Sequence, residues 1–185
     1  MSDGVSGGAA LPLRAAHRED AEALSELVNS AYRGDSSRVG WTTEADLLGG
    51  QRTDPDALRD FIVQSGTVGD RVLLVHDHAG GIDACVQLER HDDEAYLGMF
   101  TVRPTLQGGG LGRRLLAAAE QDARRRWGVS AVHMTVIAQR HELIAWYERR
   151  GYRATGETAP FPYGDARFGE PRRNDLHFVV LRKAL

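Results

Sequence analysis

The chain has 185 residues, of which 42% are hydrophobic, with 23 Lys and Arg against 26 Asp and Glu for a formal net charge of −3. That length suits a single domain burying about two-thirds of its unfolded surface. The acidic balance argues against a nucleic-acid partner, which needs a clearly basic face. No run of about 18 apolar residues offers a membrane span. Cys85 is the one cysteine, so no internal disulfide and no thiolate cluster for a metal can form, and a reducing compartment fits. The opening "MSDGVSGGAA" lacks the basic start and apolar centre of a signal peptide, so residues 1–10 are expected to be a flexible tail before one domain over 11–185, in the cytoplasm. Two arginine runs, 124–126 and 172–173, read as a helix end and a solvated loop.

In chain order, "LPLRAA" reads as a short strand. Asp20 is placed to cap a helix whose Ala21, Leu24, Leu27, Val28 and Ala31 recur at helical spacing. A polar loop runs from Tyr32 to Trp41. "TTEADLL" then predicts a short second helix capped by Thr42 or Thr43 and ended at Gly49 and Gly50. Asp54 followed by Pro55 opens a further helix, with Leu58, Phe61 and Ile62 on its apolar side. Three strands follow in series, "RVLLVHD", "IDACVQLER" and "AYLGMFTV", joined by the turns "HAGG" and "HDDE", which predicts an antiparallel meander. Leu111, Leu115, Leu116, Ala119 and Ala123 then mark an amphipathic helix closed near Gly128. "AVHMTVI" predicts a strand, "HELIAWYERR" a helix ended by Gly151, and "DLHFVVLRK" a last strand. Residues 156–174, with Pro160, Pro162 and Pro171, look too proline-rich for regular structure. The order is β, helices, βββ, α, β, α, β: a mixed α/β fold with a meander followed by β-α-β-α-β.

Between the third meander strand and the amphipathic helix stands "VRPTLQGGGLGRR". First-turn N–H groups have no partner inside a helix, and the macrodipole adds partial positive charge there. Gly108, Gly109, Gly110 and Gly112 would let an anion's oxygens approach the backbone without meeting a Cβ, and Arg113 and Arg114 add charge. A Walker loop would end in Lys-Ser/Thr, and a dinucleotide loop would need an acid about 20 residues on; neither is present. A glycine-rich turn with no ligand stays open on the loop alone.

The stretch "VRPTLQGGGLGRRLL" resembles the acetyl-CoA motif of the GNAT superfamily of N-acetyltransferases, with Gln107, Gly110 and Gly112 on the pattern. Downstream, "ELIAWYERRGYRATGE" is similar to that superfamily's second motif through Tyr147, Gly151 and Tyr152. The resemblance covers nearly the whole chain from Leu11 on. It implies a mixed sheet with a splayed cleft, acetyl-CoA as co-substrate, and acetylation of a primary amine on a small molecule or peptide. It places the pyrophosphate on the amides of Gly108, Gly109, Gly110, Leu111, Gly112 and Arg113, beside Gln107. The pantetheine arm would lie along free main-chain groups of Phe100, Thr101 and Val102. Tyr147 would protonate the departing thiolate; its other reading is a core aromatic beside Trp146.

The base is less defined. The meander strand lacks the family's mid-strand glutamate, so Glu94 at its start and His133 on the next strand are the candidates, alongside water. Both also read as structural groups. Arg140 stands where the second motif often has asparagine. For the acceptor, Tyr32, Arg33, Trp41 and Glu44 would line a rim, with Glu44 holding the amine, or else Trp41 and Glu44 are ordinary fold residues. Phe161 and Tyr163 would cover the pocket. A catalytically idle acyl-CoA-binding module is the alternative function, and a homodimer through the C-terminal strands stays open.

Overall fold

The structure, a computed structural model, describes residues 10–185; the tail expected over residues 1–10 therefore lies, apart from Ala10, outside the described residues. Its centre is a seven-stranded sheet of order β1-β3-β4-β5-β6-β9-β7. The meander is formed by β3 (Arg71–His78), β4 (Gly81–His91) and β5 (Glu94–Val102), all antiparallel. The short β1 (Arg14–Ala15) pairs on the outer edge of β3. In β3 the residues Val72 and Leu74 face one core, and Leu73 and Val75 the other. Its unbroken apolar run is thus what a strand covered on both faces requires. One face carries α1 (Ala21–Tyr32) and α2 (Pro55–Val68); the other carries α3 (Leu111–Trp127) and α4 (His141–Glu148). Asp54 caps α2 by accepting from Ala57 N–H at 2.9 Å, with Pro55 at the first helical position.

The second half adds β6 (Ala131–Ile137), β7 (Arg153–Pro160) and β9 (His177–Ala184), with β9 antiparallel between the other two. Only three residue pairs join β5 to β6 in parallel, Glu94 with Ala131, Ala95 with Val132 and Tyr96 with His133. Beyond Tyr96 the strands part. The register shift of β5 against β4 falls at Cys85–Gln87, and Met99 takes a left-handed φ of 45°. This bulge turns the end of β5 away from β6 and opens the cleft the resemblance implies.

Three expectations need correction. "TTEADLL" is not a helix: Thr43 Oγ1 accepts from Ala45 N–H at 3.0 Å in a turn, and Leu48–Gly49 forms β2 against β8 (Glu170–Pro171). Glu44 is drawn into buried ion pairs rather than displayed on a helix surface. Residues 156–174 are also not wholly irregular, since β7 runs to Pro160 on the sheet edge, where a missing N–H costs no ladder bond. Asp20 precedes α1 as expected but makes no side-chain cap; its carboxylate takes His17 N–H at 2.7 Å and the Arg14 guanidinium.

Candidate active site

The turn after β5 prepares the N-terminus of α3. Gly108 and Gly110 have φ of 85° and 87°, a region that L-residues enter only at a cost. A Cβ on either would meet no protein atom within 4 Å, so conformation and open space in front of the loop, not packing, call for glycine. Gly110 is the helix cap and supplies no side chain. Arg114 N–H is the first amide used, reaching Gly110 O at 3.2 Å. The amides of residues 108–113 have no partner among the described residues. Bare amides at a helix mouth are chemically suited to an anion.

A cavity of about 290 Å³ lies before them, lined by Gly108, Gly110, Gly112, Arg113, Thr101, Trp41, Trp146 and Arg150 among others. Gly109 and Leu111 belong to the turn without lining this cavity; Leu111 packs on the core. On the other side lies a second cavity of about 130 Å³, with Glu44, Arg52, Tyr96, Thr135, Phe161 and Phe168 in its walls. Tyr32, Phe100, Arg140, Leu143 and Tyr147 line both and form the partition.

Tyr147 sits in that partition at 4% exposure, its ring edge-on to Trp146 and Tyr152 at centroid distances of 5.1 and 5.6 Å. Burial pushes its phenol well above the ordinary tyrosine value. The group keeps its proton at neutral pH, as an acid must. Its hydroxyl makes no hydrogen bond among the described residues, whereas that of Tyr152 donates to Glu120 Oε1 at 2.9 Å. Two neighbouring tyrosines are therefore distinct: one phenol is tied to a carboxylate and one faces open space.

The carbonyls at the end of β5 are not free, contrary to expectation. Tyr32 Oη donates to Phe100 O at 2.8 Å, and Gln107 Nε2 donates to Val102 O at 3.0 Å. Having lost β6 as a neighbour, the β5 edge satisfies these buried acceptors with side chains. Gln107 Oε1 also accepts from Trp41 N–H at 3.1 Å, which pins the residue 40–41 loop to the glycine turn. Trp41 consequently belongs to the first cavity, its ring 6.3 Å from that of Trp146. Burial pushes the Tyr32 phenol up to about 12.

Glu94 and His133 lie together at the opposite end of β5, outside both cavities. Phe100 is six residues along the strand from Glu94, about 20 Å at the usual rise. Glu94 Oε2 is 3.1 Å from His133 Nδ1, an approach whose angle falls short of a hydrogen bond, and Arg182 Nε donates to Oε1 at 2.6 Å. Desolvation lowers the His133 pKa, against the pull of Glu94. The Tyr96 ring, 5.7 Å from His133, stands between this pair and the second cavity.

Glu44 is deeply buried. Arg33 pairs with Oε2, and Arg140 Nη1 donates to Oε1 at 2.8 Å. Burial alone would raise this carboxyl; the guanidiniums of Arg140, Arg33 and Arg52 outweigh it and hold the group below its usual value. Arg140 also reaches Thr42 Oγ1 at 2.9 Å, so the arginine in place of the motif's asparagine braces the loop that replaces the expected helix. Phe161 lines the second cavity, but Tyr163 stays outside it, its hydroxyl bonded to Arg173 O and Leu176 N–H.

The sequence reading missed Arg52, Phe168, Phe178 and Arg150 as cavity residues. Arg150 stacks 3.6 Å over Trp146; its place one turn after Trp146 was a usable signal. No comparable signal joins residues 52, 168 and 178, which only the fold brings together. Among the described residues no cluster of His, Cys, Asp and Glu is suited to a metal, and no helix is long and apolar enough to cross a membrane.

A mixed sheet opened between two strands, with a glycine-lined helix mouth in the opening, defines an α/β fold whose cleft suits an anionic ligand. Residues 23–152 match the family model "Acetyltransferase (GNAT) family", and the chain belongs to that family. The ribosomal-protein-alanine N-acetyltransferase of Brucella melitensis is similar in fold, with 22% identity over 95% of this chain and 100% of that one, at a TM-score of 0.70. YncA of Salmonella typhimurium, solved with its cofactor acetyl-CoA, has 21% identity over 94% and 93% of the two chains and a TM-score of 0.67. The PaiA N-acetyltransferase of Thermoplasma acidophilum, in complex with coenzyme A, has 16% identity over 94% and 98%, with a TM-score of 0.64. The sequence matches no curated protein.

Proposed function

We propose that this protein transfers an acetyl group from acetyl-CoA to a primary amine of a small molecule or peptide, by direct attack in the cleft between β5 and β6. The observation that carries this reading is the unpaired phenol of Tyr147 in the wall shared by the two cavities. The larger cavity, with its bare amides and with Arg113, suits the pyrophosphate of acetyl-CoA; two structural neighbours hold acetyl-CoA or coenzyme A. The smaller cavity suits the acceptor.

In this scheme the amine nitrogen bonds to the acetyl carbon as the carbon–sulfur bond breaks. Tyr147, which burial keeps protonated, gives its proton to the departing sulfur and regains one from water. Glu44 is the one carboxylate lining either cavity among the described residues, and both its oxygens are held by arginines. The amine's proton therefore leaves through water past Tyr96, with His133 and Glu94 as its final acceptors. Gln107 and Tyr32 yield Val102 O and Phe100 O to the pantetheine arm, or hold them while the arm uses the neighbouring amides.

The test follows free thiol released from acetyl-CoA across amino acids, polyamines, aminoglycosides and peptide N-termini. Acceptor-dependent release with formation of the N-acetyl product is expected for one of these classes. Acetyl-CoA binding without turnover on any of them would leave an idle binding module and overturn the reading. His133→Gln is expected to cost less than about 10-fold in kcat/KM, because a direct base is worth 10²-fold or more.

A further inference from the structure

The second cavity carries more positive charge than the fold uses. Arg33, Arg52 and Arg140 converge on one carboxylate, Glu44, and Arg33 and Arg140 already occupy both its oxygens. Arg52 remains. It lines the second cavity and not the first, with its guanidinium 5.6 Å from the centre of the Tyr32 ring. Its side chain makes no hydrogen bond and no ion pair among the described residues, although it is half-buried. Arg140 adds a buried Nε with no partner in the same partition.

With no protein acceptor and no buried orphan nitrogen among the described residues, the Arg52 guanidinium is open to solvent inside the pocket, where a ligand's acceptor atoms can replace water. The phosphates of acetyl-CoA cannot, because Arg52 does not reach their cavity. A polyamine or aminoglycoside would meet cations with no spare carboxylate to pair with. The rest of the pocket is mainly apolar, with Phe161, Phe168 and Phe178 beside Leu48, Met99, Met134 and Ile137.

Resting on the acetyltransfer reading above, we propose that the acceptor is a small amine that also bears a carboxylate, as an apolar amino acid does. Arg52 grips the carboxylate, the phenylalanines take the side chain, and the amine points through the partition at Tyr147. Arginine suits the role because its planar fork meets both oxygens of a carboxylate at once.

The test compares leucine and phenylalanine with their amides and their decarboxylated amines. The free acids are expected to exceed the decarboxylated amines by about 100-fold or more in kcat/KM, since a site built for a polar group rejects analogues lacking it. Arg52→Ala should cut the acid-to-amine ratio by about 100-fold, mainly through KM, and Arg52→Lys should restore part of it. A ratio near one in the wild type, equal losses on acid and amine in Arg52→Ala, or preference for polyamines would overturn the proposal. Should no acceptor turn over at all, calorimetry with coenzyme A present still decides. N-acetyl-leucine is expected to bind at least about 10-fold more tightly than its amide, with the margin lost in Arg52→Ala; equal binding contradicts the carboxylate site. Turnover of amides with no discrimination would sink the carboxylate site while leaving acetyltransfer standing.

Discussion

Tyr147 and Tyr152 are five residues apart, both buried, yet chemically unlike, because only one hydroxyl has a partner in the fold. Tyr147→Phe removes an acid and almost no volume. It should lower kcat by about 10²-fold and leave acetyl-CoA affinity within a few-fold. Pre-steady-state kinetics can separate the chemical step from binding, and equal turnover would remove Tyr147 from its role. Glu44 makes a stability claim. Replacing it with glutamine strands two buried guanidiniums, which costs about 3–5 kcal/mol and should lower Tm by at least about 6 °C. Its carboxyl is held low in the fold. The stability it contributes is thus complete above the ordinary carboxylate value near 4.3 and drains away as pH falls through the depressed folded value. Thermal melts from pH 7 to pH 3 should show this acid loss in the wild type and a shallower one in Glu44→Gln; identical slopes would count against the ion cluster.

The elements that proved easiest to read carry regular periodicity or explicit punctuation. Asp54 and Pro55 marked the start of α2, and Gly128 at φ 67° closed α3 at the residue expected. Strand β7 escaped notice because its residues are nearly all exposed and none is a large apolar one, so no alternation betrays it. The segment before β2 was misread because a buried glutamate among arginines looks, in one dimension, like a helix's first turn. The glycine turn offers a sharper test of element-level reasoning. Gly110→Val should abolish acetyl-CoA binding by placing a branched side chain before the bare amides. Left-handed strain alone costs about 1–3 kcal/mol. Gly128→Val, with φ 67° and open surroundings at the far end of the same helix, therefore serves as a control that destabilises without touching affinity. Equal affinity losses in both variants, read by calorimetry, would show that the effect is strain and not lost phosphate space.

At the scale of the whole molecule, function depends on a sheet that comes apart on purpose. Three pairs hold β5 to β6, and past Tyr96 the strands diverge around a bulge. The cleft itself was legible through the resemblance and the order of elements. The second cavity was not, since Arg52, Phe168 and Phe178 sit on three segments far apart in sequence and meet only across the finished fold. A ligand bridging β5, α3 and α4 should tie the halves together. Coenzyme A at 100 times its Kd stabilises by about 2.7 kcal/mol if it binds the folded state alone, or about 5–10 °C in Tm. No shift at that excess would argue that the larger cavity is not its site.

The most direct measurement is a crystal structure of the protein with coenzyme A. The expected result puts the pyrophosphate on the amides of residues 108–113, with the sulfur in the partition at about 3–4 Å from Tyr147 Oη. A pyrophosphate bound elsewhere, or a sulfur far from that hydroxyl, would contradict the account.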